Sequence, residues 1–288
     1  MTKKIKISRP SKVLFPKDNF TKRDIATYYR KIAPVMLPHL KGRPLVMHHY
    51  PDGINKDSFY QKQIPDYFPK WIDRLKVNLE KGGSEQMVTV AKADDLVYLA
   101  DQAVITSHIF LSRAPKLHFP DKIVFDLDPS KDDIGALRQA AKIVRDYFKS
   151  RGYAVYIMTS GIKGYHVVIP IKPKLNFDTV RELMKKVAQN LALRYPDLLT
   201  DEIVKDKRKG RIFLDYLRNS YGQISVSPYS LRAVDGAPVA TPISWNELDK
   251  VSPQSFNIKN ILKRVRSVKD PWDDIYKFSK IVDKDIGH

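Results

Sequence analysis

Two carboxylates stand two residues apart at the end of an apolar run, Ile123-Val124-Phe125-Asp126-Leu127-Asp128-Pro129. Such a run reads as a strand, whose side chains alternate faces with period 2 and rise about 3.3 Å per residue. Asp126 and Asp128 then project from one face with Cα atoms roughly 7 Å apart, within reach of one ion cluster. Phe125 and Leu127 take the other face. Two unpaired carboxylates on a buried strand would repel each other and be costly to desolvate, and a divalent cation removes that cost. The same residues fit a second reading, a strand end turning into a helix, because Ser130, Asp132 and Asp133 are helix-start chemistry.

A third acid, Asp215, interrupts another strand-like run, Arg211-Ile212-Phe213-Leu214-Asp215-Tyr216-Leu217. Three such acids suggest a two-metal site, in which ions roughly 3.5–4 Å apart clamp the attacking and leaving oxygens of an in-line phosphoryl transfer. Carboxylates are the hard oxygen ligands that suit Mg²⁺ or Mn²⁺. Between the acids lies Thr159-Ser160-Gly161-Ile162-Lys163-Gly164-Tyr165-His166, which has the parts of a phosphate cradle: two glycines, a hydroxyl, a cation and an imidazole. It is not a Walker A loop, since Lys163 precedes the second glycine and a strand-like run follows. An ordinary glycine hairpin with an exposed lysine and a hydrogen-bonded sheet histidine is the alternative.

The elements that must hold these groups follow from periodicity. Tyr153 to Met158, the loop and Tyr165 to Ile171 read as strand, turn, strand, and Gln223 to Val226 as the return strand of a hairpin after Asp215. Asp133 to Arg151 is the clearest helix, with Ile134, Leu137, Ala141, Val144 and Phe148 on one face. Asn176 to Tyr195 is another. Before them, Thr21 caps a helix through about Pro38, Leu45 to His48 and Phe59 to Gln61 read as strands, residues 79–86 as a flexible loop, and Ala93 to Ser112 as a helix. From Trp245 onward short helices alternate with prolines. Without repeats or a low-complexity linker, the expected organisation is one α+β body of two packed lobes.

Composition narrows the partner. The 288 residues include 51 Lys and Arg against 32 Asp and Glu, a formal charge of +19, which points to a polyanion, with nucleic acid foremost. Residues 1–23 alone carry eight Lys or Arg and one acid. There is no cysteine, hence no disulfide framework, no thiol nucleophile and no cysteine zinc site. No run approaches a membrane span or the apolar segment of a signal peptide, so a cytoplasmic protein with no membrane partner is expected.

In order, FDLDP (125–129), SGIKGYH (160–166) and FLDYLRNS (213–220) resemble the three catalytic motifs of the archaeo-eukaryotic primase superfamily. More narrowly, the chain is similar to the polymerase domain of bacterial DNA ligase D and its stand-alone prokaryotic relatives in non-homologous end joining. Lys12 to Pro16, Thr21-Lys22, Gly42-Arg43-Pro44, Pro51-Asp52-Gly53, Phe59 to Lys62 and Tyr229 to Arg232 extend the likeness over nearly the whole chain. The resemblance implies a single two-lobed primase-polymerase domain over 1–288. A DNA-binding lobe spans about 1–115, and a catalytic lobe with a mixed or antiparallel sheet flanked by helices spans about 116–288.

By that resemblance Asp126, Asp128 and Asp215 bind two divalent cations, Mn²⁺ or Mg²⁺. His108, Ser160, Lys163, His166 and Arg232 face the incoming nucleoside triphosphate. Lys12 and Lys22 hold the 5′-phosphate across a gap or break, Phe59 and Tyr60 stack on template bases, and Arg208 bridges DNA and the active site. Core packing is the alternative for the aromatic pair, and an exposed loop charge for Arg208. The likeness departs at Tyr60, where the family usually has Phe, and at His49, where Arg is expected.

The implied activity is a template-dependent nucleotidyltransferase that fills gaps and extends 3′ ends at double-strand breaks, with ribonucleotides preferred. No K-x-D-G adenylation motif occurs, so ligation is expected from a separate DNA ligase, with a Ku-type protein at the ends. The rivals are a replicative primase on the same fold, a two-metal nuclease and a non-catalytic DNA-end-binding protein. The triphosphate-suited loop speaks against the nuclease, and three intact acids against the non-catalytic protein.

Overall fold

Thr21 starts the first long helix through a reciprocal cap: its hydroxyl accepts from the Asp24 N–H, and the Asp24 carboxylate accepts from the Thr21 N–H at 2.7 Å. The structure, a computed structural model, describes residues 5–287. In chain order the first elements are β1 (Val13–Phe15), β2 (Phe20–Thr21), α1 (Lys22–Leu40), β3 (Leu45–His49), β4 (Phe59–Gln61), β5 (Arg74–Asn78), β6 (Ser84–Val88), α2 (Ala93–Asp101) and β7 (Val104–Phe110). Then come β8 (Lys122–Asp128), α3 (Ile134–Lys149), β9 (Tyr156–Thr159), β10 (Tyr165–Pro170), α4 (Phe177–Arg194), β11 (Leu199–Thr200) and β12 (Ile212–Asp215). The last are β13 (Ile224–Val226), β14 (Thr241–Ile243) and α5 (Ile261–Ser267).

These elements form two compact units. One takes the chain up to Phe110 with Val226–Ala240 and Phe256–Lys269, and the other takes Leu111–Ser225, Thr241–Ser255 and the chain from Asp270. The mixed α+β architecture matches the expected fold class. Among the described residues, no helix is long and apolar enough to cross a membrane.

In the first unit, β7, β3, β6 and β5 lie side by side, with β4 also paired to β3. Their inner face and α1 enclose a core that includes Ile25, Tyr29, Ile32, Met36, Leu45, Met47, Ile105 and Ile109. Arg43 is fully buried there, its guanidinium donating to the carbonyls of His39 and Phe110 at 3.2 Å, so this motif residue ties the end of α1 to the sheet. Two expectations fail in this unit. The helix expected over Ala93 to Ser112 stops at Asp101, Ala103 turns with φ +59°, and residues 104–110 form β7. The β-branched and aromatic residues of Val104-Ile105-Thr106-Ser107-His108-Ile109-Phe110 favour a strand buried throughout over a helix. The loop expected over 79–86 shrinks to the turn of the β5–β6 hairpin, where Gly82 and Gly83 supply φ values of +87° and +83°.

In the second unit six strands run in the order β11-β12-β8-β10-β9-β14, antiparallel except for the β11–β12 pair. The pleat of β8 sends Phe125 toward α3, where its ring meets that of Phe148 at 5.8 Å, and turns Asp126 to the opposite face. Helix α3 buries Leu137, Ala140, Ala141, Val144, Tyr147 and Phe148, whereas Ile134, in its first turn, is exposed. The neighbours of β12 are β11 and β8, so β13 is not its hairpin partner.

Candidate active site

Strand register decides which polar groups meet. Asp126 on β8 stands opposite Asp215 on β12 and opposite His166 on β10, and Asp128 stands opposite Phe213. Three adjacent strands thus carry Asp215, Asp126 and His166 in one row, with Asp128 a pleat further along. His166 Nε2 lies 3.4 Å from Asp126 Oδ1, and Ser225 Oγ is 3.2 Å from His166 Nδ1. Arg218 Nε lies 3.4 Å from Asp126 Oδ2 and 3.1 Å from Asp215 Oδ2, so one guanidinium bridges two acids. Arg208 donates to Asp128 Oδ2 at 3.0 Å.

Burial pushes the Asp215 carboxyl above its ordinary range; Arg218 opposes that rise, the charge of Asp126 adds to it, and the Leu217 N–H donating at 2.9 Å opposes it. Burial of a carboxylate beside a second one is therefore only partly offset by the guanidinium. Among the described residues no group of three or more His, Cys, Asp or Glu is already gathered tightly enough to hold a metal ion. The donor set nonetheless fits one: three hard carboxylates on neighbouring strands, two of them converging on a single cation, match the preference of Mg²⁺ or Mn²⁺.

Arg208 is buried rather than an exposed loop charge: its Nε and Nη2 donate to the carbonyls of Glu202 and Ile203 at 3.0 Å, and its guanidinium lies 4.1 Å from the Phe213 ring centre. Sequence reasoning missed Arg218, Asn219 and Ser225. Asn219 is fully buried, and its side chain donates to the Val124 carbonyl and accepts from the Val124 N–H, both at 2.9 Å. It continues the β8 ladder just where β12 ends. Their available signal was position: Arg218 lies three residues after Asp215, and Asn219 follows it inside the same motif.

The loop between β9 and β10 is shaped by Ser160, whose hydroxyl accepts from the N–H groups of Ile162 at 3.2 Å and Gly164 at 3.0 Å. Gly161 supplies φ +74°. A Cβ at Gly164 would stand 2.2 Å from the Leu127 carbonyl oxygen, so this glycine lets the loop press onto β8 between Asp126 and Asp128. Lys163 is exposed and lines, with Lys131, Asp132, Asp133 and Gln254, an open cavity of about 390 Å³.

In the first unit Phe59 and Tyr60 are 49% and 57% exposed, which excludes core packing. Each ring lies on an imidazole: Phe59 on His49 at 4.8 Å and 8°, Tyr60 on His48 at 3.9 Å and 19°. His108 is buried beside them, 5.5 Å from Tyr60 and 6.3 Å from His48. Partial burial, then the charge of Arg232, then His49 push His48 down to about 4. Arg232 is anchored by its backbone N–H to the Pro238 carbonyl at 2.7 Å.

The basic opening folds back, with the Lys22 N–H donating to the Lys12 carbonyl at 2.8 Å. The two ammonium groups nevertheless have different surroundings. Lys22 is buried and donates to Ser8 Oγ and the Asp101 carbonyl, with Asp101 Oδ1 at 3.5 Å, while Lys12 pairs with the exposed Asp52 at 2.6 Å.

Comparison with known proteins places this geometry. The family model of the LigD primase-polymerase domain matches residues 21–272. The multifunctional non-homologous end joining protein LigD of Mycolicibacterium smegmatis is 30% identical over 98% of the chain, and the bifunctional LigD of Bacillus subtilis 30% over 95%. The chain spans 37% and 44% of those proteins, less than half of each. Among solved structures, the polymerase domain of Mycobacterium tuberculosis ligase D in complex with DNA superposes with a TM-score of 0.89 at 30% identity, covering 96% of this chain and 99% of that one. The chain belongs to the LigD primase-polymerase domain family, enzymes that transfer nucleotides under the direction of DNA.

Proposed function

We propose that this protein fills gaps and extends 3′ ends at DNA double-strand breaks in non-homologous end joining, using two divalent cations and preferring ribonucleotides. The observation that supports this most is the row of carboxylates across β12 and β8, brought together by register on neighbouring strands. Asp126, Asp128 and Asp215 would hold the ions, whose chemistry when bound is to acidify the primer 3′-hydroxyl and neutralise charge on the phosphoryl group. Arg218, Arg208 and His166 contact the acids and aim them. Lys163 and Arg232 add cations for the triphosphate, Ser160 fixes the loop that carries Lys163, and His108 stands beside the aromatic pair.

The first unit serves as the DNA-binding lobe in this reading and the second as the catalytic one. Phe59 and Tyr60 offer open ring faces to template bases. Lys12, whose partner Asp52 is solvent-exposed, can exchange that weak pair for a 5′-phosphate, whereas Lys22 is saturated and braces the turn beneath it. A separate DNA ligase and a Ku-type end-binding protein complete the repair.

Extension of a 5′-phosphorylated gapped duplex with ribo- or deoxyribonucleotides and Mg²⁺ or Mn²⁺ tests the proposal. Gap filling stimulated by the 5′-phosphate and faster with ribonucleotides is expected. Synthesis confined to unprimed single strands would mark a replicative primase instead, and absence of any incorporation would overturn the reading.

A further inference from the structure

The acids occupy one end of the β8–β10 pair, and the opposite end opens into a second feature. There Asp121, just before β8, accepts through its carbonyl from the N–H of Ile171, just after β10, at 2.9 Å. An open cavity of about 510 Å³ lies over this junction, a size ordinary for a ligand site. Asp126 follows Asp121 by five residue steps of extended chain, roughly 16 Å.

Four cations line the cavity, Arg113, Lys116, Lys172 and Lys277, against the single acid Asp121. Arg113 neutralises that acid at 3.0 Å and lies 4.3 Å from the centre of the Tyr276 ring. The three lysines are exposed and have no carboxylate partner among the described residues. Phe119, 37% exposed, adds a second ring to the wall. Scattered surface lysines are common on a chain this basic, but these three share a concavity with aromatic faces and an acid that is already paired. Ammonium groups without a carboxylate partner beside an exposed ring are the chemistry that receives a phosphate backbone and its bases.

We propose that this cavity is a second nucleic-acid site, which takes the single-stranded tail of a DNA substrate, phosphates on Lys116, Lys172 and Lys277 and a base against Phe119. It rests on the proposed polymerase reading for its substrate and adds a tail-holding site apart from the acids.

The test measures binding of the full chain, by fluorescence anisotropy, to gapped duplexes carrying no tail or a tail of about 12 nucleotides, a length at which single-strand binding surfaces engage. Wild type is compared with the triple variant Lys116→Gln, Lys172→Gln, Lys277→Gln and with Phe119→Ala. Expected is a tail-dependent gain of about tenfold or more in wild type, the size of one good base-stacking contact. The triple variant should lose that gain, with a log-log salt slope on tailed DNA shallower by about 2, three phosphates at about 0.7 each. Phe119→Ala should lose part of it. Incorporation on the tailless gap should stay unchanged in both. Retention of the gain by the triple variant, or equal weakening with tailed and tailless DNA, would overturn the site. Displacement of tailed DNA by an acidic peptide such as poly-glutamate as readily as by single-stranded DNA would overturn the nucleic-acid assignment. If wild type binds tails but incorporates no nucleotide, the polymerase reading fails while the cavity result still stands.

Discussion

The acid row of the second unit and the aromatic pair of the first are built on the same kind of antiparallel scaffold and in opposite ways. Asp126, Asp128 and Asp215 are set by register into a mostly buried sheet, and each already faces a guanidinium from Arg208 or Arg218. Phe59 and Tyr60 stand on a three-residue strand in solvent, supported from behind by imidazoles that burial pushes below their ordinary range, His48 with the added charge of Arg232. In the proposed reading the acids that stabilise changing charge are fixed by the sheet, Asp126 and Asp215 partly desolvated and Asp128 exposed at the strand end. In the same reading the rings that would receive a base are left open, since every base has a face to stack.

That contrast breaks first, and most visibly, at the acids. Asp126→Ala, Asp128→Ala or Asp215→Ala should lower extension by about 10³-fold or more, the scale of losing a preorganised electrostatic group, with duplex binding nearly unchanged. Single-turnover primer extension beside a binding titration checks it, and robust extension by any folded variant contradicts it. Next is the scaffold: Asn219→Ala orphans the buried N–H and carbonyl of Val124 and should cost about 2–4 kcal/mol of stability in urea melts. An unchanged melt would show that Asn219 does not secure β8.

The platform should respond differently. Phe59→Ala or Tyr60→Ala should weaken template binding by about 1–3 kcal/mol with little change in stability, because both rings are exposed. A large loss of stability would return these rings to a packing role.

The smallest effect concerns pH. His48 is held at about 4, below its ordinary 6.5, so folding favours the neutral ring. Its contribution to stability is whole above about pH 6.5 and is lost as pH falls through about 4. Wild type should lose more stability than His48→Gln between pH 7 and pH 4, measured by paired urea melts. Parallel curves would remove His48 as a titrating support.

Much of the acid row was legible because period 2 alone puts Asp126 and Asp128 on one face, and Asp215 interrupts a second apolar run. The sequence could not say that Asp215 would stand opposite Asp126, because register is a tertiary property; nor could local spacing reveal that Arg218 and Arg208, in short 3₁₀ turns, would reach the acids. The expected helix over 93–112 failed for a related reason: its apolar spacing also fits a helix, while β-branched content and burial between strands make 104–110 a strand. In the basic opening, the turn that brings Lys22 back onto Lys12 is local. The burial of Lys22 against Asp101 depended on a partner 79 residues away.

Metal binding itself is the most direct measurement. Calorimetric titration of Mn²⁺ into the DNA-free protein should show saturable binding in wild type that is lost in the Asp126→Asn, Asp215→Asn double variant, with both proteins equally folded by circular dichroism. Binding of equal affinity and stoichiometry in the double variant would contradict the assignment of these carboxylates as the metal ligands.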